Sequence, residues 1–541
     1  MHTMPYAPEA RAFAFPVRLT GALCSLLLLM GVGNTRAQIA PAVVSLLSLG
    51  SDQGWILDGP EFLARAGASM NGDCDVNGDG NVDLFIGATG AGPSDQGMGF
   101  VVYGTATGST PAQSLNAAGL RMTGELSGDA TGSSVACAGD VNADGFDDLM
   151  IGAPFTDLPG LLSSGTAYLV YGGESLPSTI SLSSLNGANG ICINGIVAGQ
   201  KLGAVLAGGG DINGDGYSDL LLTGPNFNTT ASNPGQAYVI FGSAALPSSF
   251  SLSSLNGNNG FAVSSTELST LSLGVAAAIG DLNGDNFPDV VLGAPGAAPG
   301  NLPSAGSVFV VFGHSGGFPA QIAVNTLNGS NGFAIHGPLS AGKAGGSLGF
   351  APNFNGDQRA DLVIGAPGAG NTTSTIGRGY VLFGAASFVA SFNLSGLNGS
   401  NGLSLTSPAA GDVLGSSVAG LQDVNGDGLG EVIFGAPGAD FGMTDSGGAY
   451  VVYGRSSGLP ANFALASLNG GNGFRIQGAV GTDIAGQTVA RTGDLNRDGI
   501  ADLLVGAPEA DPNNVAAEGR VYVVFGKDFI SNDAVFANGF E

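Results

Sequence analysis

The sequence predicts an all-β fold: a seven-bladed β-propeller of four-stranded blades, its ring closed by an N-terminal strand. Three observations predict it. An acidic, glycine-centred loop recurs seven times, from "DVNGDGNVDLFIGA" at residue 75 onward. The first acid of each copy follows the last by 65, 71, 70, 72, 70 and 71 residues. Each interval holds four short strand-like runs, punctuated by Gly, Pro and Asn, with no sustained helical period. Four strands per repeat, taken seven times, describe blades around a central channel.

The third repeat shows the elements in order. Its runs are Leu202 to Ala207 before the loop, Leu220 to Thr223 after it, Ala237 to Phe241, and Phe261 to Ser264 behind "LNGNNG". The "LNGxNG" element recurs at 185, 255, 327, 397 and 468, loosely at 115, and most loosely at 48–57 as "SLGSDQGWIL". No such strand follows the last repeat. The N-terminal copy is therefore expected to supply the missing outer strand of blade 7 and cover its edge.

The loops have the chemistry of calcium sites. Calcium takes about 6–8 oxygen ligands, which a curled loop delivers from alternate residues. In the first copy Asp75, Asn77, Asp79 and Asp83 stand at positions 1, 3, 5 and 9, and Asn81 at position 7 would offer its carbonyl. The other six sets are Asp140, Asn142, Asp144, Phe146 and Asp148; Asp211, Asn213, Asp215, Tyr217 and Asp219; Asp281, Asn283, Asp285, Phe287 and Asp289; Asn353, Asn355, Asp357, Arg359 and Asp361; Asp423, Asn425, Asp427, Leu429 and Glu431; Asp494, Asn496, Asp498, Ile500 and Asp502. An EF-hand needs a bidentate Glu at position 12. Position 12 here is apolar throughout, from Ile86 to Val505, so that motif is excluded. Five to seven calcium ions are expected. The weakest site should be the fifth, where Asn353 replaces the first Asp and Gln358 replaces the turn glycine.

Charge agrees with this. The chain carries a net charge of −27, and the loops supply 20 of its 42 acids. Such acidity argues against a nucleic-acid partner. Residues 1–37 carry Arg11 and Arg18, the apolar run Leu19 to Val32, and small residues at a cleavage site, and read as a secretory signal peptide. A linker is expected at 38–47, the propeller at 48–526 and a tail at 527–541. Secretion is expected, without insertion in a membrane. Cys74, Cys137 and Cys192 sit at unrelated places in the repeat and are expected to be free thiols.

Apolar-Gly-Ala-Pro turns follow the loops, as in Ile151 to Pro154, Leu292 to Pro295 and Val505 to Pro508, and Tyr171-Gly172, Phe312-Gly313 or Phe525-Gly526 come next. These residues resemble the FG-GAP repeat of integrin α-subunit heads, over about residues 48–526. The resemblance implies a seven-bladed propeller with calcium between the first and second strands of each blade. It also implies partners on the face opposite the calcium loops.

A protein or glycan ligand there is the expectation, in an adhesion or interaction module. A polysaccharide lyase or hydrolase on the same scaffold is the alternative, and a structural surface protein a third. Enzyme chemistry needs a base or nucleophile, and beyond residue 37 only His314 and His336 remain as histidines. No catalytic residue is assigned. The loops after the GAP turns differ between repeats and carry Phe155, Leu161, Phe227, Ile376 and Phe441, which are expected to form the binding rim.

Overall fold

The computed structural model describes residues 41–108, 114–225, 235–265, 272–371 and 374–527. The segment expected to be a signal peptide and nearly all of the expected tail lie outside these residues, as does Phe227. Seven sheets, each built on four antiparallel strands, form the blades. Blade 2 is representative. Its strands are Ser134–Gly139, Asp148–Ala153, Thr166–Val170 and Gly190–Asn194, from the inner to the outer edge. The middle two are buried on both faces. Hence the sequence gives near-continuous apolar runs rather than alternation.

Cores form between blades. One cluster joins Ala136, Met150 and Leu169 of blade 2 to Leu206, Leu220 and Tyr238 of blade 3. The GAP glycine is required at this contact. A Cβ on Gly152 would overlap the carbonyl oxygen of Gly203, at the start of the next blade.

Six sheets contain a fifth strand that the sequence did not announce. Thr179–Ser181, between the third and fourth strands of blade 2, crosses to blade 1 and runs parallel to Leu120–Thr123. Ser249–Ser251, Gln321–Ala323, Ser391–Asn393 and Asn462–Ala464 lie likewise on the preceding blades. Each has three residues and one inward apolar side chain, too little to register as a period.

The expected linker at 38–47 is partly strand. Val43–Ser45 is the fifth strand of blade 6, parallel to Gly473–Gln477. A 3₁₀ turn, Leu46–Ser48, follows it. Gly54–Asp58 then pairs antiparallel with Arg520–Val524 as the outer strand of blade 7. Trp55 and Leu57 are buried there, and Trp55 packs edge-on against Phe525 at 5.3 Å.

Ionic contacts concentrate at this seam. Among the described residues, Arg491 Nη2 pairs with Asp73 at 2.9 Å, Arg65 Nε with Glu509 at 3.3 Å and Arg520 Nε with Asp58 at 2.6 Å. Arg497 adds a hydrogen bond to Asn81 Oδ1. Exposed pairs contribute about 0–1 kcal/mol each. Burial of Trp55 and Leu57 outweighs them, at about 1.5–3 kcal/mol per fully buried large apolar side chain.

The cysteines correct the sequence reading. Cys74 and Cys137 form a disulfide with Cα atoms 5.7 Å apart, and Cys192 is free. Both bridged residues lie on innermost strands, which converge on the axis. Neighbours across a blade boundary are therefore close despite 63 residues of separation.

Two outcomes are expected. Trp55→Ala should destabilise the fold by about 3–5 kcal/mol, as for a buried Trp truncated to Ala, measured by denaturant unfolding. Thiol titration of denatured protein lacking residues 1–37 should find a single thiol before reduction and three after it; three before reduction would exclude the bridge.

Candidate metal centre

Every acidic loop joins the innermost strand of a blade to the second, so all seven emerge on one face. Within the first loop the polar side chains fold the backbone around themselves. Asp75 Oδ1 accepts from Asp79 N at 3.0 Å and its Oδ2 from Gly80 N at 2.9 Å. Asn77 Oδ1 accepts from Asp79 N at 3.0 Å, and Asp79 Oδ1 from Asn81 N at 2.8 Å. The pattern recurs in the loops that begin at Asp140, Asp211, Asp281, Asp423 and Asp494. Position 6 is left-handed, at φ 76° for Gly80.

The acid at position 9 is set apart. Asp83 is fully buried at the head of the second strand. Its Oδ2 accepts from Val76 N at 3.0 Å and its Oδ1 from Gly104 N at 2.9 Å. Asp148, Asp219, Asp289, Asp361 and Asp502 repeat both bonds, to the residue at position 2 and to the glycine of the FG pair. That glycine follows the acid by 21–24 residues. The regular interval is the signal by which its role could have been read from sequence.

Burial pushes Asp83, Asp148, Asp219, Asp289 and Asp361 up to about 7 and Asp502 to about 8, against the lowering effect of the two N–H bonds. The nearby acids at positions 1 and 5 raise Asp83, Asp148, Asp219, Asp289 and Asp502 further. An anion buried among anions is the setting that a divalent cation relieves.

The loops are not equivalent. In blade 6 the carboxylates of Asp423, Asp427 and Glu431 bring oxygen atoms within 4.8 Å of one another, the one such group among the described residues. Glu431 has the longer side chain, and its Oε1 also accepts from Asn425 Nδ2 at 3.1 Å. In the other loops the position-9 acid is the shorter Asp. Blade 5 departs most. Gln358 occupies the left-handed position at φ 69°, and the Arg359 guanidinium lies 3.9 Å from Asp357. A cation supplied by the chain already faces that loop. At position 7, Phe146 and Phe287 cover the position-4 glycines of the preceding loops, Gly78 and Gly214.

The two histidines among the described residues each meet a side-chain partner. His336 Nδ1 meets Ser307 Oγ at 2.9 Å, but Ser307 is buried. The pair occupies the cross-strand station that Thr166 and Asn194 hold in blade 2. His314 stacks on Phe318 at 4.1 Å.

The rim residues divide. Phe155 is exposed, with Lys201 Nζ 4.9 Å above its ring. Leu161 is half-buried, while its neighbour Leu162 is exposed. Phe441 turns inward onto Tyr450, at 6.0 Å, and joins the core of blades 5 and 6. It is not part of an exposed rim.

Comparison with known proteins follows this geometry. The FG-GAP repeat profile matches residues 131–170, 202–240, 273–311, 344–382, 414–452 and 485–524, the inner three strands of blades 2 to 7. Phosphatidylinositol-glycan-specific phospholipase D of Bos taurus is 27% identical over 421 residues, covering 73% of this chain and 46% of that protein. The Homo sapiens protein of the same name is 26% identical over 410 residues, with the same coverage. Integrin alpha-E of Mus musculus is 34% identical over 178 residues, 32% of this chain and 14% of the integrin. The chain thus spans about half the length of the phospholipase D relatives it matches. Repeat, blade and acidic loop coincide six times over, and the chain belongs to the FG-GAP repeat family.

Proposed function

We propose that this propeller is a secreted, calcium-stabilised interaction module that binds a protein or glycan on the face opposite its acidic loops. One observation carries the reading. Every exposed large apolar residue among the described ones, except Leu47 and Val389, lies in a loop joining strands two and three or in a link to the next blade. Those segments all emerge opposite the acidic loops. Apolar anchors gathered on one face suit a partner site. Likeness to integrin α chains supports the same assignment. Among the described residues no helix is long and apolar enough to cross a membrane.

Calcium would be held by the acids at positions 1, 5 and 9 with the Asn at position 3 and the carbonyl at position 7, and would supply charge neutralisation. The chain's own residues fix the loops and bury the ninth-position carboxylate. The blade 6 set, Asp423, Asp427 and Glu431, fits a cation best, and the blade 5 set, with Arg359, fits worst.

A second reading follows from the phospholipase D relatives, whose name is that of an enzyme. The match covers 46% of the bovine protein, so the activity in that name is for this chain a proposal to be tested. Release of a phosphatidylinositol-glycan anchor by the purified chain would establish the enzyme.

Two measurements test the main reading. In chelator the melting temperature should fall, and it should rise with the logarithm of added calcium. Without the cation, burial pushes the six position-9 aspartates up to about 7–8 in the folded state, against about 3.9 when unfolded. The folded state then binds more protons between these values, so metal-free stability should fall as pH rises from about 4 to 8. Calcium should remove that slope; a pH profile and melting curve unchanged by chelator would refute the assignment. For the surface, Ser substitution of all the exposed apolar residues in the links together should reduce ligand capture with calcium content intact, whereas Val389→Ser should not.

A further inference from the structure

The exposed apolar side chains are densest around blade 2. Leu126 lies in the link from blade 1, Phe155 and Leu162 in the loop between strands two and three, and Ile196 and Val197 in the link to blade 3. Leu126 and Leu162 are 59% and 71% exposed. The three segments are stitched together rather than independent. Phe155 N donates to Asp129 O at 3.3 Å, Gly199 N to Leu162 O at 2.8 Å and Lys201 N to Ser163 O at 3.1 Å. The amides of Ile196 and Val197 both donate to Gln200 Oε1, at 2.7 and 3.1 Å. Gln200 is buried and donates in turn to Tyr238 Oη at 2.7 Å. Backbone bonds that hold apolar side chains outward remove the conformational cost of presenting them to a partner.

Charge selects the occupant. The exposed acids of the same segments are Glu125 and Asp157, and Lys201 lies against the Phe155 ring. The chain as a whole carries −27. A second copy, a nucleic acid or an anionic lipid surface would bring negative charge against this patch, and like-charge juxtaposition weakens association. Building on the interaction reading above, we propose that the blade 2 patch docks a protein segment with apolar anchors and a basic rim.

Fluorescence anisotropy in calcium, with labelled designed peptides as probes, tests this. An amphipathic Leu/Lys helix is compared with Leu/Glu and Ser/Lys counterparts. Leu162→Ser/Ile196→Ser/Val197→Ser should weaken the Leu/Lys peptide by at least about tenfold, the equivalent of about 1.4 kcal/mol. It should leave the weaker Ser/Lys binding and the melting temperature unchanged. Met443→Ser/Val480→Ser, on blades 6 and 7, should leave all three peptides unaffected. Loss of Leu/Lys binding in that second variant instead would overturn the patch while keeping the face; loss in Val389→Ser would overturn the face itself. Tighter binding of Leu/Glu, phosphatidylcholine vesicle binding lost in the triple variant, or a dimer abolished by it would each overturn the proposed occupant.

Discussion

The buried carboxylate at position 9 is the interaction on which the ring depends. One oxygen holds the amide at position 2 of its own loop, and in six blades the other holds the glycine of the FG pair at the end of the third strand. The residue after that glycine donates back to the preceding blade: Gly173 N to Val76 O at 2.9 Å, Ser243 N to Val141 O at 2.9 Å, Lys527 N to Val424 O at 2.9 Å. A single acid thereby links loop, blade and neighbour. Hydrogen bonds to a charged acceptor are roughly twice as strong as neutral ones. Holding that charge in a buried place is also what lifts its titration toward neutrality. The acidity proposed to hold a cation and the structural role of the loop rest on the same residue.

Closure follows from the same economy of repetition. Each of blades 2 to 6 sends a short strand to the blade before it, and the N-terminal segment does this for blade 6 before completing blade 7. Blade 1 is fastened on one side by the Cys74–Cys137 bridge and on the other by Arg491, Arg65 and Arg497. Among the described residues, the disulfide between blades and two of the four ion pairs thus flank the blade nearest the join.

Blade number, strand order and the acidic loops were legible because each is repeated, and repetition separates a pattern from an accident. The short parallel strands were not, since three residues with one inward side chain, such as Ile180, carry no period. The disulfide was not, because proximity on converging inner strands is a property of the closed ring and not of the interval between Cys74 and Cys137. Side-chain direction in the variable loops was read only in part. Phe155 faces outward, whereas Phe441 packs inward on Tyr450. Within the candidate site, the residue types and their recurrence were legible but the distances between their carboxylates were not. Only Glu431 has the reach to bring its carboxylate beside the other two.

The order in which the N-terminal segment attaches has a mechanical meaning. Gly54 lies opposite Val524, so tension between the chain ends would peel Gly54–Asp58 from Arg520–Val524 one bond at a time, the weakest way to load a strand pair. Val43–Ser45 stands upstream of that point and is anchored on a different blade, parallel to Gly473–Gln477. Force from the N-terminal side meets this anchor first. While it holds, the closing strand carries no load, and a ring tethered at its ends stays shut under pull.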